Sequence, residues 1–184
     1  ESDYNSMRIG WDIIIDIDSK LGIEESQIAA ATVIEMLEKY GVLPGIKFSG
    51  RRGFHICLPW KMFPKEINFS PLATMYPQVP RAMVSFIKER VKDEIMKRLL
   101  QQKSAKELIE TLQEPPSDLS PYFFVEIENN WGSRHMFRAP YSLNEKTWLV
   151  SLPIRAEQLK SFSPTSAEIK NIAVGEDFFK AEEN

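Results

Sequence analysis

Apolar and polar positions alternate near the beginning of the chain in a way that predicts β-strands. From 11 to 18, apolar residues recur at every second position, and the intervening positions become acidic toward the end of the run. A period of two with β-branched side chains is typical of a strand. Short apolar runs at 46–49 and 54–58 predict two further strands on either side of a glycine-rich loop. The first strand therefore leads from a core to a rim that carries Asp16 and Asp18.

A helical period follows the first strand and returns in the middle of the chain. Residues 23–40 carry an apolar stripe at spacings of three and four, and Gly41 stands where a left-handed C-cap residue belongs. A second stripe predicts a long amphipathic helix over 81–101. Residues 104–107 have the pattern of a capping box, which opens a short helix to about Leu112.

The rest of the chain is less regular. Prolines concentrate in 60–80, which predicts an irregular surface excursion. Residues 122–128 alternate as a strand, and 148–152 form the last predicted strand. The early order of strand, helix and strand indicates a βαβ-like unit. We therefore predict an α+β (mixed α/β) fold of one domain, 1–184, with a central mixed sheet built around that unit and flanking helices.

Composition excludes several classes of protein. The chain has 43% hydrophobic and 27% charged residues, as globular proteins do. No apolar run is long enough to span a bilayer, and no signal peptide is recognisable. The single cysteine, Cys57, excludes an internal disulfide and a multi-cysteine zinc site, so we expect an intracellular location, cytoplasmic and nucleoid-associated in a prokaryote. A net charge of −3 disfavours a surface that is basic all over, although it permits a local basic groove.

Asp16 and Asp18 form the first candidate site. Residues two apart on a strand share a face and lie about 6.5–7 Å apart. The pair can hold one hard cation together, or two cations as in two-metal phosphoryl transfer. A solvated strand end is the other explanation of so short a motif.

The second candidate site lies in the loop between the second and third predicted strands. Gly50 and Gly53 allow the backbone to approach a ligand closely. Four side chains suit an anionic ligand such as a phosphate: Ser49, Arg51, Arg52 and His55. A basic β-turn followed by a partly buried histidine is the alternative.

Further candidates lie downstream. Glu126 supplies a third acid on a strand, and Glu128 a fourth on the same face. Four basic residues follow as possible phosphate partners: Arg134, His135, Arg138 and Lys146. Each of these six is otherwise an ordinary surface charge. Three tryptophans are able to stack on bases, although packing is the commoner role: Trp60, Trp131 and Trp148.

Three blocks of these residues together resemble the catalytic small subunit of archaeo-eukaryotic primases. Asp16-Ile17-Asp18 is similar to the paired metal-binding aspartates of that family. Residues 48–55, Phe-Ser-Gly-Arg-Arg-Gly-Phe-His, are very close to its nucleotide-binding signature. Residues 138–147 resemble its basic segment R-x-P-x-S-x-x-x-K-T. The similarity spans about 10–153 and is weaker in the middle of that range.

The resemblance implies a primase-polymerase fold and a template-directed nucleotidyltransferase that makes primers for DNA replication by two-metal phosphoryl transfer. It implies that Mg²⁺ or Mn²⁺ binds three acids: Asp16, Asp18 and Glu126. It implies that the nucleoside triphosphate contacts five residues: Ser49, Arg51, Arg52, His55 and Arg138. To these we add His135 and Lys146 as candidate nucleotide contacts from the sequence pattern. The implied partners are a single-stranded DNA template and a large primase subunit or other replication protein, with no membrane and no zinc site in this chain.

Three features depart from the family pattern. Glu126 stands where relatives usually have aspartate, and Asn144 where they often have histidine. Relatives also carry a substantial segment before the paired aspartates and commonly a cysteine-rich zinc element, so the chain is trimmed, split with a separate chain supplying that segment, or minimal. Two other functions stay open: a primer-dependent repair or gap-filling polymerase of the same superfamily, and a non-catalytic nucleotide-binding subunit.

Overall fold

A central antiparallel sheet organises the computed structural model of the chain, which describes residues 7–112, 119–129 and 136–179. The strands of these residues are β1 (Ile13–Ser19), β2 (Gly45–Phe48), β3 (Phe54–Leu58), β4 (Glu66–Ile67), β5 (Ser70–Pro71), β6 (Val125–Ile127) and β7 (Pro153–Ile154). Five of them form the central sheet in the order β6-β1-β3-β2-β7, and β4 and β5 form a separate hairpin.

Helices cover one side of this sheet. The α-helices of the described residues are α1 (Ile23–Lys39), α2 (Gln78–Gln102), α3 (Ala105–Glu110) and α4 (Ala156–Leu159). Helix α1 packs on β1 and β3, and α2 packs on α1. The predicted capping box before α3 is confirmed, because the Ser104 Oγ accepts from the Glu107 N–H at 3.3 Å and a Glu107 carboxylate oxygen accepts from the Ser104 N–H at 2.7 Å. None of the helices in the described residues is long and apolar enough to cross a membrane.

The strand pairing confirms the α+β class and corrects one detail of the prediction. Strands β1 and β2 both pair antiparallel with β3, so they run parallel to each other with β3 between them. The βαβ-like unit is therefore present in split form. The sheet is antiparallel at each pairing of its named strands rather than mixed, because the short loop after β2 turns the chain back and inserts β3 beside β1.

The face of the sheet toward α1 contains the hydrophobic core. Ile13, Ile15 and Ile17 of β1 are fully buried, as are Phe54 and Ile56 of β3. A fully buried side chain of this kind contributes roughly 1.5–3 kcal/mol relative to an exposed one. The core therefore fixes the register of β1, since a slip by one residue would turn its acids inward.

Two predicted strands differ from the structure. Residues 121–123 form a 3₁₀ turn that Ser120 caps, so the strand predicted over 122–128 shortens to β6. The strand predicted over 148–152 is wrong, because an isolated bridge joins Leu143 to Val150 and the pairing with β2 is made by β7. Trp148 has a φ of +59°, which no strand residue adopts.

Candidate active site

The face of the sheet opposite α1 carries polar side chains in two rows, and we call it the polar face. In the first row, Lys47 of β2 lies opposite His55 of β3, which in turn lies opposite Asp16 of β1. Glu128 extends this row, since its N–H donates to the Asp16 carbonyl at 2.9 Å. The row thus places the predicted histidine beside the first predicted aspartate.

The second row joins the glycine-rich loop to the remaining predicted acids. The Ser49 N–H donates to the Gly53 carbonyl at 2.9 Å, and Asp18 lies opposite Glu126 in the β1–β6 pair. Gly53 lies directly against β1, because a Cβ there would come within 2.3 Å of the Ile17 carbonyl oxygen. Only a residue without a side chain lets the loop approach the second aspartate this closely.

The backbone register suits a divalent cation, although the side chains form no metal cluster as they stand. Four acids share the polar face: Asp16, Asp18, Glu126 and Glu128. Residues opposed across a strand pair have Cβ atoms about 4.5–5.5 Å apart, and Mg²⁺ and Mn²⁺ prefer oxygen ligands. Within the described residues, however, no three acidic, histidine or cysteine side chains are grouped so as to hold a metal ion.

The two aspartates contact basic neighbours instead. The Asp18 Oδ2 lies 3.2 Å from the Arg52 Nη2, and both side chains are about two-fifths exposed, at 44% and 41%. The Asp16 Oδ1 lies 3.4 Å from the His55 Nε2. Solvent screens a half-exposed ion pair of this kind, and it contributes little to stability. The pair formed by Asp18 and Arg52 can therefore separate at small cost.

His55 is buried and keeps one ring nitrogen available. Burial lowers the pKa of His55 more than the neighbouring Asp16 raises it, so the imidazole is neutral at pH 7 and its contact with Asp16 is no ion pair. The His55 Nδ1 has no hydrogen-bond partner among the described residues. The ring packs edge-on against Phe137, with centroids 5.8 Å apart. An unpaired buried nitrogen is unfavourable unless a ligand bonds to it.

The Gly-Arg-Arg-Gly loop is a tight turn held by Ser49. The Ser49 Oγ accepts from the Gly53 N–H at 3.2 Å, which leaves the hydroxyl hydrogen to donate elsewhere. Gly50 has a φ of +94°, a conformation that side chains other than glycine rarely adopt. Arg51 is exposed at the tip of the turn, whereas Arg52 is half-buried toward β1.

The segment that contains Arg138 and Lys146 packs against this loop. The Thr147 Oγ1 donates to the Gly50 carbonyl at 2.5 Å. Asn144 is 6% exposed, and its Oδ1 accepts from the Lys146 N–H at 2.9 Å. The residue at the place of the relatives' histidine therefore holds the turn together. Arg138 lies near the first row, since its charge contributes to lowering the pKa values of Lys47 and His55.

The structure thus brings most of the predicted residues to one face. Nine of them lie on or beside it: Asp16, Asp18, Ser49, Arg51, Arg52, His55, Glu126, Arg138 and Lys146. Arg138 is bonded to the Glu145 carboxylate at 2.5 Å and to the Leu143 carbonyl at 2.7 Å, and Lys146 is exposed. His135, Arg134 and Trp131 lie outside the described residues.

Comparison with known sequences agrees with this arrangement. Residues 15–156, which include each candidate named above, match the family of the DNA primase small subunit. The chain belongs to this family. The resemblance carried by the three sequence blocks is therefore confirmed.

Two individual proteins are also similar to this primase-family chain. An uncharacterized protein of Methanocaldococcus jannaschii is 44% identical over 66 residues, which cover 35% of this chain and 14% of that protein. The polymerase domain of Mycobacterium tuberculosis ligase D, solved in complex with DNA, is similar with a TM-score of 0.48 and 19% identity, over 80% of this chain and 45% of the other. The primase-family chain therefore spans less than half the length of either protein.

Sequence reasoning missed one residue of the polar face, Lys47. Its side chain is fully buried, and its Nζ donates to the Ser151 Oγ at 2.7 Å and lies 5.3 Å from the centroid of the Phe178 ring. Burial lowers the pKa of Lys47 to about 7, although the charge of Asp16 raises it. The signal was present in the sequence, because period-two alternation places Lys47 on the same face as Ser49.

Proposed function

We propose that this chain is the catalytic core of a primase, a template-directed nucleotidyltransferase that makes primers for DNA replication from nucleoside triphosphates. One observation carries the proposal. In a chain of the DNA primase small subunit family, the strand register places paired carboxylates beside a glycine- and arginine-rich turn on a single face of the sheet. Acids suit divalent cations and the turn suits phosphates, which together are what phosphoryl transfer requires.

Three acids of the polar face would hold the cations. We assign Mg²⁺ or Mn²⁺ to Asp16, Asp18 and Glu126, because all three present carboxylates on the polar face at adjoining positions. Bound cations supply neutralisation of the triphosphate and a lower pKa for the attacking hydroxyl. Asp18 would release Arg52 on binding, and the half-exposed geometry of that pair makes the release inexpensive.

The loop and the facing segment would bind the triphosphate. The Ser49 hydroxyl has a hydrogen left to donate. The buried Nδ1 of His55, which has no partner among the described residues, would donate to a phosphate oxygen in the ring form that carries a hydrogen there, with Nε2 then released from Asp16 or the ring protonated. Cationic contacts come from four residues: Arg51, Arg52, Arg138 and Lys146. His135 belongs to the same proposal on the sequence pattern alone. These contacts would hold the α-phosphorus for in-line attack by a 3′-hydroxyl, with pyrophosphate as the leaving group.

The partners in this proposal are a single-stranded DNA template and a further replication protein. The family match supports the first, since primases copy a template. A large primase subunit, or a separate chain that supplies the segment found before the paired aspartates in relatives, would complete the enzyme. No zinc site is proposed for this chain.

Labelled nucleotide incorporation on a single-stranded DNA template tests the proposal. The assay is run with Mg²⁺ or Mn²⁺, with and without a primer, on the wild-type chain, on Asp16→Ala and on Asp18→Ala. Glu66→Ala removes an exposed carboxylate from β4, which belongs to the separate hairpin and not to the central sheet, and serves as the matched control. We expect products without a primer in the wild type and the control, none in the aspartate variants, and none after chelation of divalent cations.

The other outcomes separate the competing functions. Products that need a primer indicate a gap-filling polymerase. Nucleotide binding without incorporation, also in the presence of a large primase subunit, indicates a non-catalytic subunit. Normal incorporation by either aspartate variant contradicts the metal assignment.

A further inference from the structure

Trp148 combines an unfavourable backbone conformation with an exposed ring. Its φ is +59°, in the left-handed region that bulky side chains avoid, and its side chain is 69% exposed. The indole does not belong to the hydrophobic core. The exposed ring gains no burial that would offset this strain. Phe69 shares both properties, so the position of Trp148 in the fold decides what its ring can bind.

The backbone at Trp148 is fixed against the Gly-Arg-Arg-Gly loop. Its N–H donates to the Asn144 carbonyl at 2.9 Å. Next to it, the Thr147 Oγ1 accepts from the Leu149 N–H at 3.2 Å and donates to the Gly50 carbonyl at 2.5 Å. The fit is close, because a Cβ on Gly50 would lie 2.9 Å from the Asn144 Cβ. The turn therefore presents a rigidly based indole to solvent beside the loop proposed to bind phosphates.

Two cationic residues lie close to Trp148 along the backbone. Lys146 lies two residues before Trp148, and Arg51 follows Gly50, the residue to which the same turn is bonded. Both side chains are exposed. Exposed aromatic rings between cations are the usual means of binding single-stranded nucleic acids and nucleotides, since each base has a flat face and each phosphate a negative charge. Ordering of the backbone before binding lowers the entropy lost on association.

We propose that Trp148 is a stacking platform for a nucleobase, with Arg51 and Lys146 contacting the phosphates on either side of it. The inference rests on the proposed function, because it places a nucleotide or a DNA strand at this loop. The base has two possible sources, the incoming nucleoside triphosphate and the template strand. Both present the same chemistry, a flat heterocycle linked to phosphate, and the experiment below distinguishes them.

Trp148→Gly makes the sharpest test, because glycine relieves the strained backbone while removing the ring. We expect its melting temperature to equal or exceed that of the wild type. Its affinity should fall about fivefold or more for the ligand that carries the base, since stacking of one base typically contributes about 5- to 150-fold. Dissociation constants are measured for a fluorescent oligothymidylate by anisotropy and for a nucleoside triphosphate by calorimetry. Loss for the oligonucleotide alone identifies the template strand, and loss for the triphosphate alone identifies the incoming nucleotide.

Phe69→Gly is the matched control. Phe69 is fully exposed with a φ of +60°, but it lies at the tip of the β4–β5 hairpin rather than beside the loop. The same change there should relieve strain and leave both affinities unchanged. Trp148→Phe, which keeps a ring, should retain most of the binding, and Trp148→Leu, which keeps apolar bulk without one, should lose it. Trp148→Leu also decides the case if Trp148→Gly proves less stable than the wild type.

Unchanged affinity for both ligands in Trp148→Gly or Trp148→Leu overturns the inference, as does the absence of binding in the wild type. The proposed enzymatic function and the stacking role of Trp148 can be tested separately. Asp16→Ala should abolish incorporation yet keep oligonucleotide binding that depends on Trp148. Binding that depends on Trp148 in a wild-type chain that incorporates nothing would uphold the stacking platform and contradict the enzyme.

Discussion

Asp18 and Glu126 are direct cross-strand partners in the β1–β6 pair. Opposed side chains on one face of a sheet lie close enough to share a ligand. The position of Glu126 is therefore fixed by strand pairing, and its side chain is one methylene longer than the aspartate that the family resemblance implies there.

Glu126→Asp should retain or increase nucleotide incorporation, because it restores the usual family residue at an unchanged position. Glu126→Gln should reduce kcat/KM by at least about 100-fold, the upper end of the effect of removing a partner around a bound metal. Steady-state incorporation at saturating Mn²⁺ and at limiting Mn²⁺ provides the measurement. Glu128→Gln, on the same face and one row away, should have a much smaller effect. A larger loss of incorporation in Glu128→Gln than in Glu126→Gln would indicate that Glu128, rather than Glu126, binds the metal ion.

Arg52 should affect substrate binding more than folding. Its pair with Asp18 is half-exposed, so Arg52→Ala should change the free energy of unfolding by less than about 1 kcal/mol. A charge-assisted hydrogen bond to phosphate contributes about 1.5–3 kcal/mol, so KM for the nucleoside triphosphate should rise roughly 10- to 150-fold. Arg90→Ala, on the exposed surface of α2, is the control for removal of a positive charge. A large loss of stability with an unchanged KM would make Arg52 a structural residue.

Gly53→Ala should disrupt the contact between the loop and β1. The added Cβ would meet the Ile17 carbonyl oxygen at 2.3 Å and the Asp18 Cα at 3.2 Å, and neither atom belongs to a flexible side chain. We expect a loss of about 1–3 kcal/mol in the free energy of unfolding, measured by urea denaturation, together with weaker nucleotide binding. Gly175→Ala is the matched control, because a Cβ there meets nothing within 4 Å. Equal stability of the two variants would mean that the backbone of β1 shifts enough to accommodate the added Cβ.

Lys47 should give the chain a pH-dependent stability. The pKa of Lys47 is about 7 in the folded chain, whereas an exposed lysine, as in the unfolded chain, has a pKa of 10.5. Between pH 7 and pH 10.5 the unfolded chain therefore binds more protons than the folded chain. The stability contributed by Lys47 therefore rises with pH across that window, by about 1.4 kcal/mol per pH unit at the steepest, and is constant below it. The charged groups and the thiol that act on Lys47 lie on β1, β3 and the facing segment: Asp16, Cys57 and Arg138. His55 is its cross-strand neighbour.

Lys47→Met tests this dependence by removing the ionisable group while keeping the length of the side chain. The difference in unfolding free energy between wild type and variant should grow in favour of the wild type from pH 7 to pH 10. The variant should be the more stable protein at pH 6, where the wild type buries a charge. Lys61→Met, at an exposed position, should give a flat difference. Parallel profiles for wild type and Lys47→Met would contradict the low pKa.

The sequence alone predicted the parts of the site that depend on local patterns. Period-two alternation placed the two aspartates on one face of β1, and the Gly-Arg-Arg-Gly loop came out as a turn between two strands. The pairing of Asp18 with Glu126 needed the register of β6, which no local pattern contains. Whether the metal and nucleotide roles of these residues are right stays a prediction.

Tertiary contacts explain what the sequence did not predict. The apolar run at 148–152 has the composition of a strand, yet Trp148 is left-handed because Thr147 and Asn144 fix the turn against Gly50. Lys47 was overlooked because a lysine is expected at the surface. Its burial depends on Phe178, which lies far along the chain and packs its backbone on Gly45.

The order of strands in the sheet has a consequence for biosynthesis. Strands β1, β2 and β3 are close in sequence and form the middle of the sheet, whereas β6 and β7 join its two borders from much later in the chain. Contacts between near residues form early, and distant strands must close long loops first. During translation we therefore expect a three-stranded intermediate with two unprotected borders, which is a template for intermolecular strand pairing. The carboxylate of Glu126 arrives only when one border closes, so a chain acquires its third acid in the same event that removes a route to aggregation.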